Sequence, residues 1–445
     1  MTPFRTLALS FALAAAGLHS ASAQSLTEVY DAARSYDAGF QSAQAAYDAA
    51  ESRSQQLRAG LLPQVGLQMG VSRAPTDVRV QGLPNTNYNV VTQTAGISAT
   101  QPLYRPANAI SYEQGQRQVD VYRAALDAAG QDLMVRTSQA YFDVLGAQDT
   151  LAFVRAQKAA VAEQLASAKR NFDVGTATIT DSREAQARYD LVVAQEIATE
   201  NDLQVKRLAL DQLVGRTGIV PRPLVATGAL ADLQPQALER WVEQSQDTQP
   251  SVRQARLALE VAQLDVKKAE AAHLPTVDLT AGYSAARYPN GTTTVPAHFN
   301  ANGGSIGVQL NVPIFAGFSI QNRVRETLSL EEKARADLDT ALRGVAQNTR
   351  ALFFGAVSSA GQVKALEAAE ASSQSSLEAN QLGYQVGVRI NIDVLNAQSQ
   401  LYQTKRDLAQ ARYNLLLSSL RLRQAAGTLA PQDLYNINAL LAPAL

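Results

Sequence analysis

The chain has no cysteine in 445 residues, so no disulfide can brace it and it offers no thiol for an N-terminal lipid. No later stretch reaches about 18 consecutive apolar residues, which excludes a membrane-spanning helix but leaves a closed barrel open. Charge of either sign is not in excess. With 39 basic and 40 acidic residues there is neither a basic footprint for nucleic acid nor a polyacidic tail. Aromatic residues are scarce at 6%, while Ala, Gln, Ser and Leu are abundant. That balance suits long helices packed through small side chains better than one thick core. The chemistry of catalysis is also missing. Of three histidines, His19 directly follows the N-terminal apolar run, His273 precedes a Leu-Pro helix stop and His298 sits in a loop. No HExxH, GxSxG or P-loop pattern occurs, so no enzymatic activity, cofactor or metal centre is expected.

What is present starts with MTPFR, the apolar run Leu7 to Leu18, and Ala21-Ser22-Ala23. A basic start, a short apolar segment and an A-x-A site read as a cleavable secretory signal over residues 1–23, cut before Gln24.

The rest is written twice. Leu62-Pro63 and Leu274-Pro275, Val174-Gly175 and Val386-Gly387, Asp181 and Asp393, and Gly215 and Gly427 are all 212 positions apart. Two repeats are expected at 24–215 and 238–427, separated by a Pro/Gly-rich linker at 216–237 and followed by a tail at 428–445.

Each repeat carries two strand-like segments, near 63–75 and 89–104 in the first and 275–287 and 303–315 in the second. Val65, Leu67, Met69 and Val71 alternate with small or polar residues, as do Ile306, Val308, Leu310 and Val312. Strict period two gives each strand one apolar and one polar face. The intervening Pro-, Asn- and Gly-rich stretches (74–89 and 288–304) read as long exposed loops. Tyr104, Tyr283 and Phe315 are expected near strand ends. Both an outer-membrane barrel and a water-soluble sandwich fit this alternation.

Everything else reads as helix. Residues 107–171 and 319–385 contain no proline and would each reach about 100 Å. Shorter helical runs fill 26–60, 181–215, 238–272 and 393–427, with the linker and tail forming a small belt. Four strands cannot close a barrel, and an open sheet in lipid would leave edge groups unpaired at several kcal/mol each. Transmembrane strands would therefore require an oligomer.

The order of L-P-strand, strand-Q-P-L-Y, long helix, A-Y-F-D-V-L, V-G-x-x-x-I-T-D and A-R-Y-D, then H-L-P-T-V-D-L-T-A, V-P-I-F, G-Y-Q-V-G and I-D-V-L-N-A, resembles the TolC family. The likeness covers essentially the whole mature chain. It implies a mixed α and β fold: a homotrimer with a twelve-stranded transmembrane β-barrel, four strands per protomer, continued by an α-helical coiled-coil periplasmic tunnel with an equatorial belt. It also implies a place in the outer membrane, in contact with its lipid. The expected partners are a periplasmic adaptor and an inner-membrane RND, ABC or MFS transporter, for drug efflux or type I protein secretion. The rival reading is a soluble periplasmic coiled-coil scaffold or adaptor without a pore.

Two eight-residue stretches, VGTATITD and VGVRINID, interrupt the longest helical runs at matching depth. Gly175 and Gly387 supply the permissive backbone where a helix stops. Asp181 and Asp393 stand at the next helix start, where the bland reading is capping, with Asp181-x-x-Glu184 as a candidate box. The functional reading uses three-fold symmetry, which would turn Asp393 into a ring that holds cations. The resemblance implies a D-V-L-D pair of rings, of which this chain keeps Asp393 and replaces the second by Asn396. It also implies a latch between the turns, here an Asp181–Arg389 ion pair and a Thr180–Tyr384 hydrogen bond, with Arg170 standing where the family has glutamine.

Overall fold

The computed structural model describes residues 23–79, 81–82, 84–225 and 237–443. Residues 1–22 of the expected signal segment and half of the linker, 226–236, lie outside the described residues. The chain begins with α1 (Leu26–Tyr36), closed by a Ser25–Glu28 capping box, and α2 (Ala38–Arg58). Strands β1 (Gln64–Val78) and β2 (Thr86–Tyr104) lead into the long α3 (Pro106–Asp173) and the returning α4 (Ile179–Val214). The second half repeats the order: α5 (Leu238–Thr248), α6 (Pro250–Glu270), β3 (Thr276–Tyr288), β4 (Phe299–Asn311), α7 (Ser319–Gln385) and α8 (Asn391–Ala425). A short α9 (Pro431–Asn438) ends it.

The runs 26–60 and 238–272, read from sequence as single helices, are each broken at one extended residue: Asp37 (ψ 117°) and Gln249 (ψ 128°). At Gln249 the cause is Pro250, whose ring disfavours helical backbone one residue earlier. At Asp37 the carboxylate caps the Phe40 amide at 2.8 Å and takes two hydrogen bonds from Arg136, at 2.9 and 3.1 Å.

The chain divides into two compact units. One comprises residues 45–124 and 254–340 and holds a single antiparallel sheet in the order β1-β2-β3-β4. Its register places Val65, Ala99, Ala281 and Ile306 in one row, and Leu67, Ile97 and Tyr283 in the next. The alternate rows are small or polar, such as Gly66, Ser98, Gly282 and Ser305. The sheet therefore has one apolar and one polar face, and in a single chain the apolar face is bare: Val65 is 67% exposed and Ile306 79%. β1 and β4 are its two edges.

Three strand expectations need correction. The pairing of β1 with β2 continues through Pro75 to Val78 opposite Thr86, so the long first loop shrinks to 79–85; an edge strand tolerates a residue without an N–H. Tyr283 sits in mid-strand opposite Ile97, while Tyr288 and Phe299 stack at the strand ends with centroids 4.6 Å apart. β4 spans 299–311 rather than 303–315, stopping before Pro313.

The other unit comprises residues up to 44 together with 125–253 and 341–445. Its core draws Leu26 and Val29 from α1, Leu133, Tyr141 and Leu145 from α3, Leu416 and Leu420 from α8, and Leu434 and Ile437 from α9. Linker and tail meet over this core: the Val225 amide donates to the Leu440 carbonyl at 3.0 Å, and Ala442 to Pro223 at 2.9 Å. Tyr141, fully buried, receives the Arg222 amide at 2.8 Å and donates to the Gln24 carbonyl at 2.9 Å. Gln24 is thereby tied to Arg222 of the linker.

Candidate aperture at the paired helix turns

The turns joining α3 to α4 and α7 to α8 share one backbone. Gly175 and Gly387 both adopt φ 78°, the left-handed conformation that lets a helix end without Cβ strain. In the first turn Gly175 N–H reaches Phe172 O (2.9 Å) and Thr176 N–H reaches Asn171 O (2.8 Å). In the second, Gly387 reaches Tyr384 (3.1 Å) and Val388 reaches Gly383 (2.9 Å).

The helix starts differ. Thr178 caps α4, its hydroxyl taking the Asp181 amide at 3.3 Å while Asp181 Oδ2 takes the Thr178 amide at 3.0 Å. Asp181 is thus the closing partner of a Thr178–Asp181 box, rather than the opening residue of one with Glu184. The matching cap of α8 is Ile390, which has no side-chain acceptor. Asp393 is free of that duty and lies 3.7 Å from Arg389, one helical turn back.

Neither expected latch bond is present among the described residues of one chain. Asp181 is held by its own cap, and Arg389 stays with Asp393. The Tyr384 hydroxyl takes its hydrogen bond from Asn171 Nδ2 at 3.1 Å instead of Thr180, which is exposed, as is Arg170. Neutral amides join the two turns. Asn391, 1% exposed, accepts from Gln164 Nε2 and points Nδ2 at the Asp181 carbonyl, 3.5 Å away. Arg188 Nη2 on α4 donates to Asn396 Oδ1 on α8 at 2.8 Å. Sequence reasoning passed over Asn171, Gln164, Asn391 and Arg188, because a lone amide on a helix has no spacing signature. Arg188 alone had a visible cue: it is the basic residue of the A-R-Y-D segment that follows the turn.

Just beyond these turns α3, α4 and α8 enclose a groove of about 550 Å³, lined among others by Gln157, Arg188, Asn396, Gln400, Gln403 and Arg406. Burial pulls the Arg406 guanidinium below its ordinary pKa, with nearby Asp407 acting in the opposite sense. Among the described residues no cluster of three or more His, Asp or Glu is arranged to hold a metal ion. Asp393 brings one carboxylate per chain, so a cation ring would have to come from symmetry.

A sheet with one bare apolar face and two open edges, in a chain whose helices reach 68 and 67 residues and reverse at Gly turns, defines a protomer of an outer-membrane channel-tunnel. Residues 29–216 and 241–428 each match the Outer membrane efflux protein family, and the chain belongs to that family. The two matches are themselves displaced by one repeat. Outer membrane protein TolC of Vibrio cholerae is 34% identical over 433 residues, covering 96% of this chain and 97% of that protein. TolC of Escherichia coli is 31% identical over 444 residues, covering 98% and 88%. The alkaline protease secretion protein AprF of Pseudomonas aeruginosa is 30% identical over 390 residues, covering 86% and 80%. Among solved structures, CusC superposes with a TM-score of 0.78 at 18% identity, over 91% of this chain and 92% of that one. VceC of Vibrio cholerae gives 0.77 at 17%, over 90% and 96%. The fold is that of the outer-membrane factor channels, and the protein is an outer-membrane export channel with its tunnel in the periplasm.

Proposed function

We propose that three copies of this chain close one twelve-stranded barrel, β1 of each protomer meeting β4 of the next, and that the paired turns form the periplasmic aperture. The observation that carries this reading is the sheet itself. Its apolar rows are bare and its two edge strands are open, an arrangement that lipid penalises by several kcal/mol per unpaired group unless another copy supplies the partner. Four strands give no closed barrel, eight leave an interior filled by side chains, and twelve leave room for a water-filled lumen. The duct is passive. A periplasmic adaptor and an inner-membrane RND, ABC or MFS transporter hand cargo to it, drugs or type I secreted proteins, in keeping with relatives named for protease secretion and efflux.

At the aperture, Asp393 faces the lumen as a single carboxylate ring with Asn396 below it, and this half-charged pair binds cations weakly. The latch residues Asp181, Arg389, Thr180 and Tyr384 stand at the two turns, and helix untwisting breaks the contacts that hold those turns together as the mouth opens. Heat-modifiable trimers in outer-membrane fractions and single-channel conductance in planar bilayers are the expected results. A soluble, monomeric, non-conducting product would overturn the reading. Asp181→Ala with Arg389→Ala should raise conductance, and an unchanged channel would remove the latch.

A further inference from the structure

We propose that the groove between α4 and α8 is a binding station for anionic groups, carboxylate or phosphate, on cargo passing the aperture, with Arg188 and Arg406 as the residues that attract them. The inference rests on the channel reading above and names a chemical preference for it. Both guanidiniums line the groove, and both have neutral amides as partners: Arg188 donates to Asn396 Oδ1 at 2.8 Å, and Arg406 to Gln403 Oε1 at 2.6 Å. Among the described residues neither forms an ion pair. The two carboxylates next to these arginines in sequence each accept from an amide one helical turn away, Asp407 from Gln403 at 2.8 Å and Asp190 from Gln186 at 2.9 Å.

A second observation points the same way. Arg406 Nε is buried and has no acceptor among the described residues. A buried guanidinium N–H without an acceptor is costly, and an anion entering the groove would satisfy it. The fork of a guanidinium matches carboxylate and phosphate geometry. The surrounding amides of Gln157, Asn396, Gln400 and Gln403 add hydrogen-bonding capacity without negative charge to repel the ligand. Position matters as much as charge. Arg188 and Asn396 lie within three turns of the helix starts at Ile179 and Asn391, so the station stands next to the narrow mouth. In a trimer it would present six guanidiniums. Asp393 already has Arg389 at 3.7 Å, so the mouth would attract anions more than cations.

The test is block of the conducting wild-type channel by inorganic tripolyphosphate, added on the side of the helix turns, with a trivalent cation complex as the opposing probe. Tripolyphosphate should block more strongly than the cation. Arg188→Gln and Arg406→Gln should each weaken that block by about tenfold, equivalent to about 1.4 kcal/mol, while Arg188→Lys keeps most of it. Gln403→Glu, at an exposed position outside the ring, should weaken block as Arg406→Gln does, because it places a carboxylate on Arg406. Tripolyphosphate block that is absent in the wild type, or equal in wild type, Arg188→Gln, Arg406→Gln and Gln403→Glu, would overturn the proposal while leaving the channel intact. A wild-type protein that conducts nothing would overturn the channel reading itself.

Discussion

At Gly175 and Gly387 the chain reverses through the same φ, and each following amide reaches a carbonyl 212 positions from its counterpart. Three residues later the copies diverge. Thr178 builds a reciprocal cap that consumes Asp181, whereas Ile390 offers none and leaves Asp393 to Arg389. The comparison separates two demands on one motif. Reversing the helix needs only a residue that tolerates positive φ. Whether the aspartate is taken up by the helix cap or left free of it is decided by a neighbour three positions away.

The same separation should be testable elsewhere in the repeat, with the largest effect at the helix break near the N-terminus. Asp37 and Gln249 occupy equivalent breaks, but only Asp37 is charged, with a side chain 11% exposed and held by Arg136. Asp37→Asn should cost about 1.5–3 kcal/mol, the range for a hydrogen bond to a charged group. Gln249→Ala should cost less, since Pro250 maintains that break. The two should also differ in pH response. The hydrogen bonds from Arg136, foremost among the causes, hold the Asp37 carboxyl below its ordinary range. Its contribution is therefore complete above the ordinary carboxylate pKa and is lost as pH falls through the lower folded value. Denaturant unfolding in detergent should show the wild-type advantage over Asp37→Asn shrinking on acidification, while the Gln249→Ala difference stays flat. A pH-independent gap for both would remove the charge argument.

Next in size is the shared part of the turns. Gly175→Ala and Gly387→Ala should each destabilise by about 1–2 kcal/mol, the cost of left-handed backbone for an L side chain. A Cβ at either site meets nothing within 4 Å, so sterics should not separate them. Equal losses are expected; a loss at one turn only would mean that the common hydrogen bonds are not the common determinant. The unshared part should respond unequally. Thr178→Val removes a cap and should cost about 1 kcal/mol, while Ile390→Thr should gain up to about that much, because Ile390 already has the extended backbone a cap requires. If both changes were neutral, the boxes would not account for the difference between Asp181 and Asp393.

These contrasts also show what the sequence could reveal. Strand alternation, proline-free helical runs and the 212-residue displacement are periodic signals that recur many times, so the sheet, the long helices and the repeats were legible. The turns were legible because Gly marks a backbone only it adopts easily. The Asp37 break was not, since nothing local to it forbids helix and its partner Arg136 lies 99 positions away. The amide links at Asn171, Gln164 and Asn391 were likewise hidden: each depends on which helices become neighbours, and that is set by packing. The ion-pair latch was expected from resemblance, but in one chain local caps reach the carboxylate first.

The smallest effect concerns specificity more than stability. Arg155 on α3 pairs with Glu200 on α4 at 2.6 Å, and the equivalent positions in the second copy, Glu367 on α7 and Arg412 on α8, pair at 3.1 Å with the charges reversed. Exposed pairs contribute little to stability, so the reversal needs another reason. If the two returning helices changed places, Arg155 would face Arg412 and Glu367 would face Glu200. Opposite polarity thus penalises the exchange of two helices that share a repeat and have similar lengths. Glu367→Arg with Arg412→Glu gives both copies the same polarity while keeping an ion pair in each. The unfolding midpoint should barely move, but the yield of conducting trimers after refolding should fall. An unchanged yield would mean that apolar packing alone selects the partners. A fall in both quantities would place the pair in the stability of the native bundle, and the two copies would then differ in sign without differing in role.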